Sequence, residues 1–371
     1  MKKKLVAALT AQLMISGMGS VFAAAPVPAA ETTAAAETTA TTPVAATDKE
    51  RVTFDGDITF HYRDQHDGNY VDGRLSQSRT AFKSTLKLNT NLQLTNDLSV
   101  YARFSYQHMN KESAAFARDY ADRPASDLND ASIDAFGVKY NNDKYNVIVG
   151  SQALRLGGGL LYDNGFMGRY SMPYAINATR KMKAGELTAI AAQTNYQSGK
   201  ENDKFFVVQG NYHLNSKTDL GGMIAHVNYG NTTKSTFNIP DSDVTFFSVY
   251  GSRKLTDKLD LSAEYLVGTA SSANQGFQAN LGYQFDKKNR LMGGYYYVED
   301  QANIFDANFG DMTGAANNNA NGFVIAWLHK FDDKTSLVIG DLNYKKIDSN
   351  SLSQCVTDDR NRFFTNFTIR F

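Results

Sequence analysis

The sequence predicts an all-β protein, a transmembrane antiparallel up-and-down β-barrel of about sixteen strands. From Arg51 onward, segments of about ten residues alternate apolar and polar side chains, which is the period of a strand with two unlike faces. Short and long connections alternate between these segments. After the first 25 residues no run of about 18 apolar residues occurs, so a membrane span in this chain has to be built of strands.

The first 25 residues, MKKKLVAALTAQLMISGMGSVFAAA, combine a cationic start with an apolar stretch and small residues at Val21, Ala23 and Ala25. This pattern is typical of a secretory signal peptide, and the apolar stretch is too short and too often interrupted for an anchoring helix. The residues that follow are mostly Ala, Thr, Pro and Glu, which have little to bury, so a flexible periplasmic leader is expected. The predicted parts are a signal peptide at 1–23, the leader at 24–50 and the transmembrane β-barrel at 51–371.

Two kinds of break separate the strand-like segments. The short breaks are rich in Asn, Asp, Lys, Gly and Thr, which favour tight turns, and they lie at 94–98, 141–144, 183–186, 214–220, 255–261, 286–289 and 332–335. The long breaks lie at about 64–77, 110–131, 151–173, 197–203, 229–242, 268–275, 300–320 and 348–359. Seven short turns and eight long loops join sixteen strands and leave both termini of the chain on the short-turn side, as in outer-membrane barrels.

The two faces of the predicted strands fit a membrane barrel better than a secreted sandwich. In the second strand Phe82, Leu86 and Leu88 alternate with Lys83 and Lys87. In a sandwich the apolar face forms the core, whereas in a membrane barrel it faces lipid and the polar face lines a lumen. The 20 Tyr and 23 Phe residues favour the barrel, because aromatic girdles lie at the lipid interfaces. The girdle residues expected near strand ends include Tyr101, Tyr140, Tyr145, Tyr212, Phe285 and Phe331.

The last segment, NRFFTNFTIRF (361–371), places Phe367, Ile369 and Phe371 on one face. It resembles the closing strand of bacterial outer-membrane barrels, which the barrel-assembly machinery recognises. The resemblance implies that this strand pairs with the first one, expected at about 52–62. It also implies that Phe371, Ile369 and Phe367 form the assembly signal.

The whole region 51–371 resembles the general bacterial porins, of the kind found in diderm Firmicutes but without the peptidoglycan-binding domain. The resemblance implies a homotrimer in the lipid of the outer membrane, with a water-filled diffusion channel for small hydrophilic solutes and ions. It also implies that the third loop, within 151–173, folds into the lumen and narrows it. The 38 basic residues balance 38 acidic ones, which excludes a strongly charged nucleic-acid-binding protein.

Charged residues on the inner face are the candidate site. Strand parity predicts that basic residues of the second and third strands point into the lumen. In the porins that the chain resembles, such residues face the third loop, in which Asp163 is here the one acid. A net positive constriction is therefore expected, although a solvated wall with no role in selectivity is an alternative. The candidate pore-lining residues are Arg79, Lys83, Lys87, Arg103, Arg155, Asp163, Arg169, Asp260 and Glu264.

Other classes of function have weaker support. A barrel enzyme needs a His with Ser or Asp partners placed together, but the six His residues lie in no nucleophile motif, so no enzyme, metal or cofactor is predicted. A substrate-specific channel or a surface adhesin needs ligand-binding side chains, but of Tyr295, Tyr296 and Tyr297 only Tyr296 has inward parity. The glycine triplet at 157–159 predicts a flexible or tightly bent loop, because no helix follows it to form a phosphate site. Cys355 has no second Cys for an internal disulfide.

Overall fold

A computed structural model describes most of the predicted barrel region. The described residues are 51–68, 77–109, 129–163, 172–194, 203–231, 233–234, 239, 241–302, 304, 319–347 and 358–371. The predicted signal peptide and leader, Arg169 and Cys355 lie outside them, and so does the side chain of Arg79. No helix within these residues is long and apolar enough to cross a membrane.

The described part of the chain contains eighteen β-strands. Their bounds are β1 Val52–Asp67, β2 Gln77–Gln93, β3 Leu98–Met109, β4 Asn129–Asn141, β5 Tyr145–Ser151, β6 Arg155–Leu156, β7 Tyr162–Asp163, β8 Tyr174–Met182, β9 Gly185–Gln193, β10 Lys204–Asn215, β11 Thr218–Asn228, β12 Asp243–Lys254, β13 Leu259–Gly268, β14 Gln275–Gln284, β15 Asn289–Val298, β16 Ala320–Lys330, β17 Thr335–Lys346 and β18 Asp359–Arg370. Sixteen strands form one closed antiparallel barrel, in which β5 pairs with β8 because β6 and β7 form a separate hairpin. The predicted up-and-down barrel of about sixteen strands is confirmed.

The connections follow the predicted alternation of short turns and long loops. All seven predicted short turns join consecutive strands, and the strand ends that the eight long connections join lie at the other end of the barrel. Side chains stabilise the short turns: Asp286 accepts hydrogen bonds from the backbone N–H groups of Lys288 (2.7 Å) and Asn289 (2.9 Å). Hydrogen bonds from the Asn289 side chain and from the Lys288 N–H lower the pKa of Asp286, so this turn keeps an ionised acceptor at neutral pH.

The first and last strands close the barrel, as the sequence predicts. β1 and β18 pair along most of their length, and beyond this ladder Gly56 and Phe371 exchange two backbone hydrogen bonds of 3.1 and 3.2 Å. β1 is longer than expected and continues to Asp67 instead of ending near residue 62. Its alternation persists, because Arg63, Gln65 and Asp67 are all buried inside the barrel. The sheet is therefore continuous around the whole barrel.

Aromatic residues lie mainly on the outer face of the barrel. Five of the six predicted girdle residues are exposed there, namely Tyr140, Tyr145, Tyr212, Phe285 and Phe331. The prediction is wrong for Tyr101, which is partly buried and whose hydroxyl donates a hydrogen bond to the carbonyl oxygen of Ser151 (2.9 Å). The reason is strand parity, because the preceding Val100 is exposed and the next residue of β3 must point inward.

Aromatic side chains also cover the outer seam between the last and first strands. The ring centroid of Phe367 lies 6.5 Å from that of Phe60 on β1. Phe60 in turn lies 6.2 Å from Phe82 on β2. The Phe371 ring lies on Gly56, where an added Cβ would be 2.8 Å from a ring carbon and would also clash with the backbone oxygen of Lys87. Glycine at this position therefore allows the last residue to pack flat on the first strand.

Replacing Gly56 with Val should destabilise the closed barrel by about 1–3 kcal/mol, because the new side chain overpacks the seam. Folded barrels keep a compact migration on denaturing gels until they are heated, so the temperature of the mobility change measures this effect. Gly222→Val is the matched control, because Gly222 also lies on a strand but its nearest atom to an added Cβ is 3.8 Å away. An equal change in the two variants would contradict a special role of Gly56.

Candidate functional site

The interior of the barrel has two unlike halves. On β18, β1, β2, β3 and β4 the buried inward side chains are largely charged or polar, whereas on β9 to β17 many are apolar. We call the second surface the apolar wall. Its strand residues include Ile190, Ala192, Phe205, Val207, Met223, Ala225, Val227, Val244, Phe246, Leu266, Tyr296, Val298, Val324 and Leu342. Most of the buried basic side chains of the described interior therefore lie in the polar half.

Basic residues follow one another down the polar half, and we call Arg360, Arg362, Arg63, Lys83 and Lys87 the basic ladder. Across the β1–β18 and β1–β2 pairs they lie opposite Asp67, Gln65, Phe364, His61 and Asp57, in that order from the long-loop end. Successive inward positions on a strand are two residues apart, which is roughly 7 Å. The ladder therefore presents positive charge at several depths of the interior.

Two members of the basic ladder are oriented by partners on β1. The Nε of Arg360 donates to Oδ1 of Asp67 (2.5 Å), and the Nε of Arg362 donates to Oε1 of Gln65 (2.7 Å). All four side chains are buried. Such short bonds, charge-assisted at both arginines, hold each guanidinium group in one position against the wall.

Arg103 is paired with an acid that sequence reasoning missed. Its Nε and Nη2 each donate to the carboxylate of Asp134 on β4 at 2.7 Å, and Ser105 Oγ also donates to this carboxylate at 2.7 Å. A β-bulge lies here, because Arg103 pairs with Ala135 and the next residue of β3 pairs with Ile133. Ile133 and Phe136 are both exposed although they are three residues apart, and this break in the period of two is the sequence signal for the bulge. Much of the Arg103 charge is therefore neutralised.

The described first part of the third loop, residues 152–163, lies inside the barrel and packs on the apolar wall. Leu154, Leu156, Leu160, Leu161 and Tyr162 are all buried. Tyr162 packs on Phe205 of β10, with ring centroids 5.3 Å apart. Burial raises the pKa of the Tyr162 hydroxyl far above its ordinary value. The burial of these apolar side chains holds the loop against the apolar wall.

Glu264 on β13 fastens the same loop by its carboxylate. Oε2 accepts hydrogen bonds from the backbone N–H of Leu160 and from Nε2 of Gln278, both at 2.9 Å. Oε1 accepts a hydrogen bond of 2.7 Å from Oγ of Ser248. An added Cβ at Gly157 or Gly158 would lie 2.5 or 2.7 Å from these carboxylate oxygens, so only glycine allows this approach. The glycine triplet is therefore a tight bend around a carboxylate.

The other predicted acids and the loop arginine also have local partners. Asp260 accepts two hydrogen bonds from Nη2 of Arg290, at 2.8 and 2.9 Å. Arg155 on β6 lies 3.8 Å from Asp163 on β7, and it donates a hydrogen bond to the carbonyl oxygen of Gly158. These groups, like Glu264, serve to shape the loop and the wall beside it.

On the short-turn side of the loop a cavity is lined by Asn211, Asp219, Tyr250, Ser252, Ser262, Glu264 and Gln278.

The loop and the basic ladder lie on opposite sides of the interior. The loop is hydrogen-bonded to β10, β13 and β14 through Gln209, Glu264 and Gln278. The ladder strands β18, β1 and β2 lie five, six and seven steps from β13 around the sixteen-stranded ring, and eight, seven and six steps from β10. The loop therefore covers the apolar wall and leaves the basic ladder on the facing wall.

No family model and no curated protein match this sequence. Solved structures of porins share its fold. OmpF of Salmonella typhi, in a complex with daunomycin, aligns with a TM-score of 0.57 and 12% identity, over 86% of this chain and 97% of that chain. OprB of Pseudomonas putida aligns with a TM-score of 0.58 and 11% identity, over 86% and 94%. A variant of the Rh. blastica porin aligns with a TM-score of 0.51 and 12% identity, over 86% and 100%. The chain therefore has the fold of the sixteen-stranded porins.

Replacing Glu264 with Ala should loosen the third loop. The Leu160 N–H, the Ser248 hydroxyl and the Gln278 amide lose their shared acceptor, and each buried donor left without one costs about 1–3 kcal/mol. Single-channel recordings in planar bilayers should show a larger and noisier current than the unchanged protein. Asp219→Ala is the control, because it removes one acid from the same wall, and the side chains hydrogen-bonded to Asp219 are His213 and Ser252. Equal currents in the two variants would contradict the role of Glu264.

Proposed function

We propose that the protein is an outer-membrane porin, a water-filled channel through which small hydrophilic solutes and ions diffuse, with a modest preference for anions. The observation that carries this proposal is the distribution of charge inside a closed sixteen-stranded barrel. The third loop lies on the apolar wall, so the passage for solutes runs along the facing basic ladder. The fold that the chain shares with porins supports a role as a channel.

The charge balance along this passage favours anions. Six buried basic residues, the ladder and Arg103, share the polar half with three buried acids, Asp57, Asp67 and Asp134. The excess of positive charge concentrates anions near the wall. The preference is expected to be weak, because salt screens charges within about 10 Å at 0.1 M and water in the channel keeps a high dielectric constant. Hydrated ions of both signs will therefore pass.

The remaining features of the proposal concern location and assembly. The chain is exported by its signal peptide at 1–23 and inserted in the outer membrane, with residues 24–50 as a leader in the periplasm. Its exposed apolar outer face suits lipid, and the last strand is the segment read by the barrel-assembly machinery. A homotrimer without catalytic activity fits this type of channel. A substrate-specific channel is the second candidate, because two buried tyrosine hydroxyls, of Tyr296 and Tyr344, lie near Arg360 at the long-loop end of the barrel.

Reversal potentials in a potassium chloride gradient test the proposed selectivity. The unchanged protein should favour chloride, and the double variant Lys83→Gln and Lys87→Gln should shift toward cations, because two buried inward charges are removed. Lys217→Gln with Lys287→Gln is the control, because it removes two charges from the exposed short turns. A cation preference in the unchanged protein would rule out the anion channel.

Replacing Phe371 with Asp should reduce the amount of protein in the outer membrane. A charged residue removes the ring that packs on Gly56 and alters the segment proposed as the assembly signal. Quantitative immunoblots of membrane fractions should show a loss of roughly ten-fold or more, with degradation products in the periplasm. Phe285→Asp is the control, because it places the same charge at another exposed aromatic position next to a short turn. A smaller loss of outer-membrane protein in this control would show that the effect is specific to the last residue. An undiminished level of the Phe371 variant would exclude it as a signal.

A further inference from the structure

A row of five residues crosses the inner face near the long-loop end of the barrel. Tyr296, Gly322, Tyr344, Arg360 and Asp67 are successive register partners on β15, β16, β17, β18 and β1. Neighbouring strands lie about 4.8 Å apart, so the row covers roughly 19 Å of the wall. It joins the end of the apolar wall to the first residue of the basic ladder.

Gly322 allows the two tyrosines of this row to approach each other. A Cβ at Gly322 would lie only 2.6 Å from the Cβ of Tyr344, so the Tyr344 side chain lies close over the glycine that separates it from Tyr296. Tyr344, Arg360 and Arg362 are all close enough to the Tyr296 hydroxyl to interact with it electrostatically. Two tyrosines and two arginines therefore lie near one another at the long-loop end of the barrel.

Both hydroxyl groups are buried and have no hydrogen-bond partner in the described structure. The exposed fraction is 0% for Tyr296 and 1% for Tyr344, and neither phenolic oxygen has a donor or acceptor within bonding distance. Buried hydroxyls in folded proteins almost always have a partner, because leaving one without a partner costs about 1–3 kcal/mol. Two such groups side by side indicate a polar ligand that the barrel wall itself does not supply.

The surrounding charges indicate the chemistry of that ligand. Arg360 and Arg362 carry two positive charges, and Asp67 carries one negative charge. The guanidinium group of Arg360 lies 5.3 Å from the ring centroid of Tyr344, so this ring face is covered and a sugar ring has no room to stack on it. Two O–H donors in a net positive field match a group that only accepts hydrogen bonds and is negatively charged.

We propose that Tyr296, Tyr344, Arg360 and Arg362 form a subsite that binds the oxyanion group of a small solute, a phosphate or a carboxylate. The subsite rests on the proposed function as a channel and adds a solute class to it. It lies at the long-loop end of the basic ladder, so a solute bound there can pass next to Arg63 and then to Lys83. Several weak sites in series permit both binding and release.

The test uses the purified full barrel in planar bilayers. The chloride current is recorded while inorganic phosphate is added at constant ionic strength, and a second series uses acetate, which distinguishes a phosphate from a carboxylate. At least one oxyanion should reduce the current with saturation. In the double variant Tyr296→Phe and Tyr344→Phe the half-saturating concentration should rise about ten-fold or more, because two hydrogen bonds to a charged group are lost.

Tyr295→Phe is the matched control, because it removes a hydroxyl from the exposed outer face of the same strand and should leave the half-saturating concentration unchanged. Three results would overturn the subsite. The first is a reduction of the current that does not saturate with either oxyanion, and the second is an equal half-saturating concentration in the double variant and the control. The third is a reduction of the current by glucose as strong as that by phosphate. Any of these results is compatible with a chloride-selective reversal potential. Failure of the subsite is thereby distinguished from failure of the proposed channel.

Discussion

The structure depends on the closure of one sheet on itself. A backbone N–H or C=O group at an apolar surface costs several kcal/mol when it lacks a partner, and an open sheet leaves a row of such groups at each edge. The pairing of β1 with β18 removes both edges and brings together residues as distant in sequence as Thr59 and Thr368, which are 309 positions apart. Closure also decides which strands face each other, and so it places the apolar wall and the loop on it opposite the basic ladder.

The strands, the turns and the closure could be predicted from the sequence because they depend on local patterns. A period of two, turn-forming residues at seven breaks and the terminal apolar face are each visible within about ten residues. The partners of the charged groups could not be predicted in this way. Asp134 faces Arg103 only because a bulge shifts the parity of β4, and Glu264 binds a backbone N–H group that is 104 residues away.

The apolar wall had a sequence signal of its own. A strand with one polar face alternates strictly, but the segment 205–208 reads FFVV, and Phe205 and Val207 are buried inside while Phe206 and Val208 are exposed outside. A run that is apolar at every position indicates a strand covered on both faces. Inside this barrel the cover is the third loop, so apolar residues on the inner face predict where a loop docks rather than where solutes pass.

The docked loop has a consequence for the order of assembly. Its partners Glu264 and Gln278 come 104 and 120 residues after the loop residues that they bind, on strands that must first be in place. Contacts between segments so distant in sequence form late, after the loop-closure entropy of the intervening chain has been overcome. The loop is therefore expected to dock after its partner strands have entered the sheet, and a barrel with an undocked loop would have a wider bore. The docked loop narrows the channel through contacts that the pairing of strands does not itself enforce.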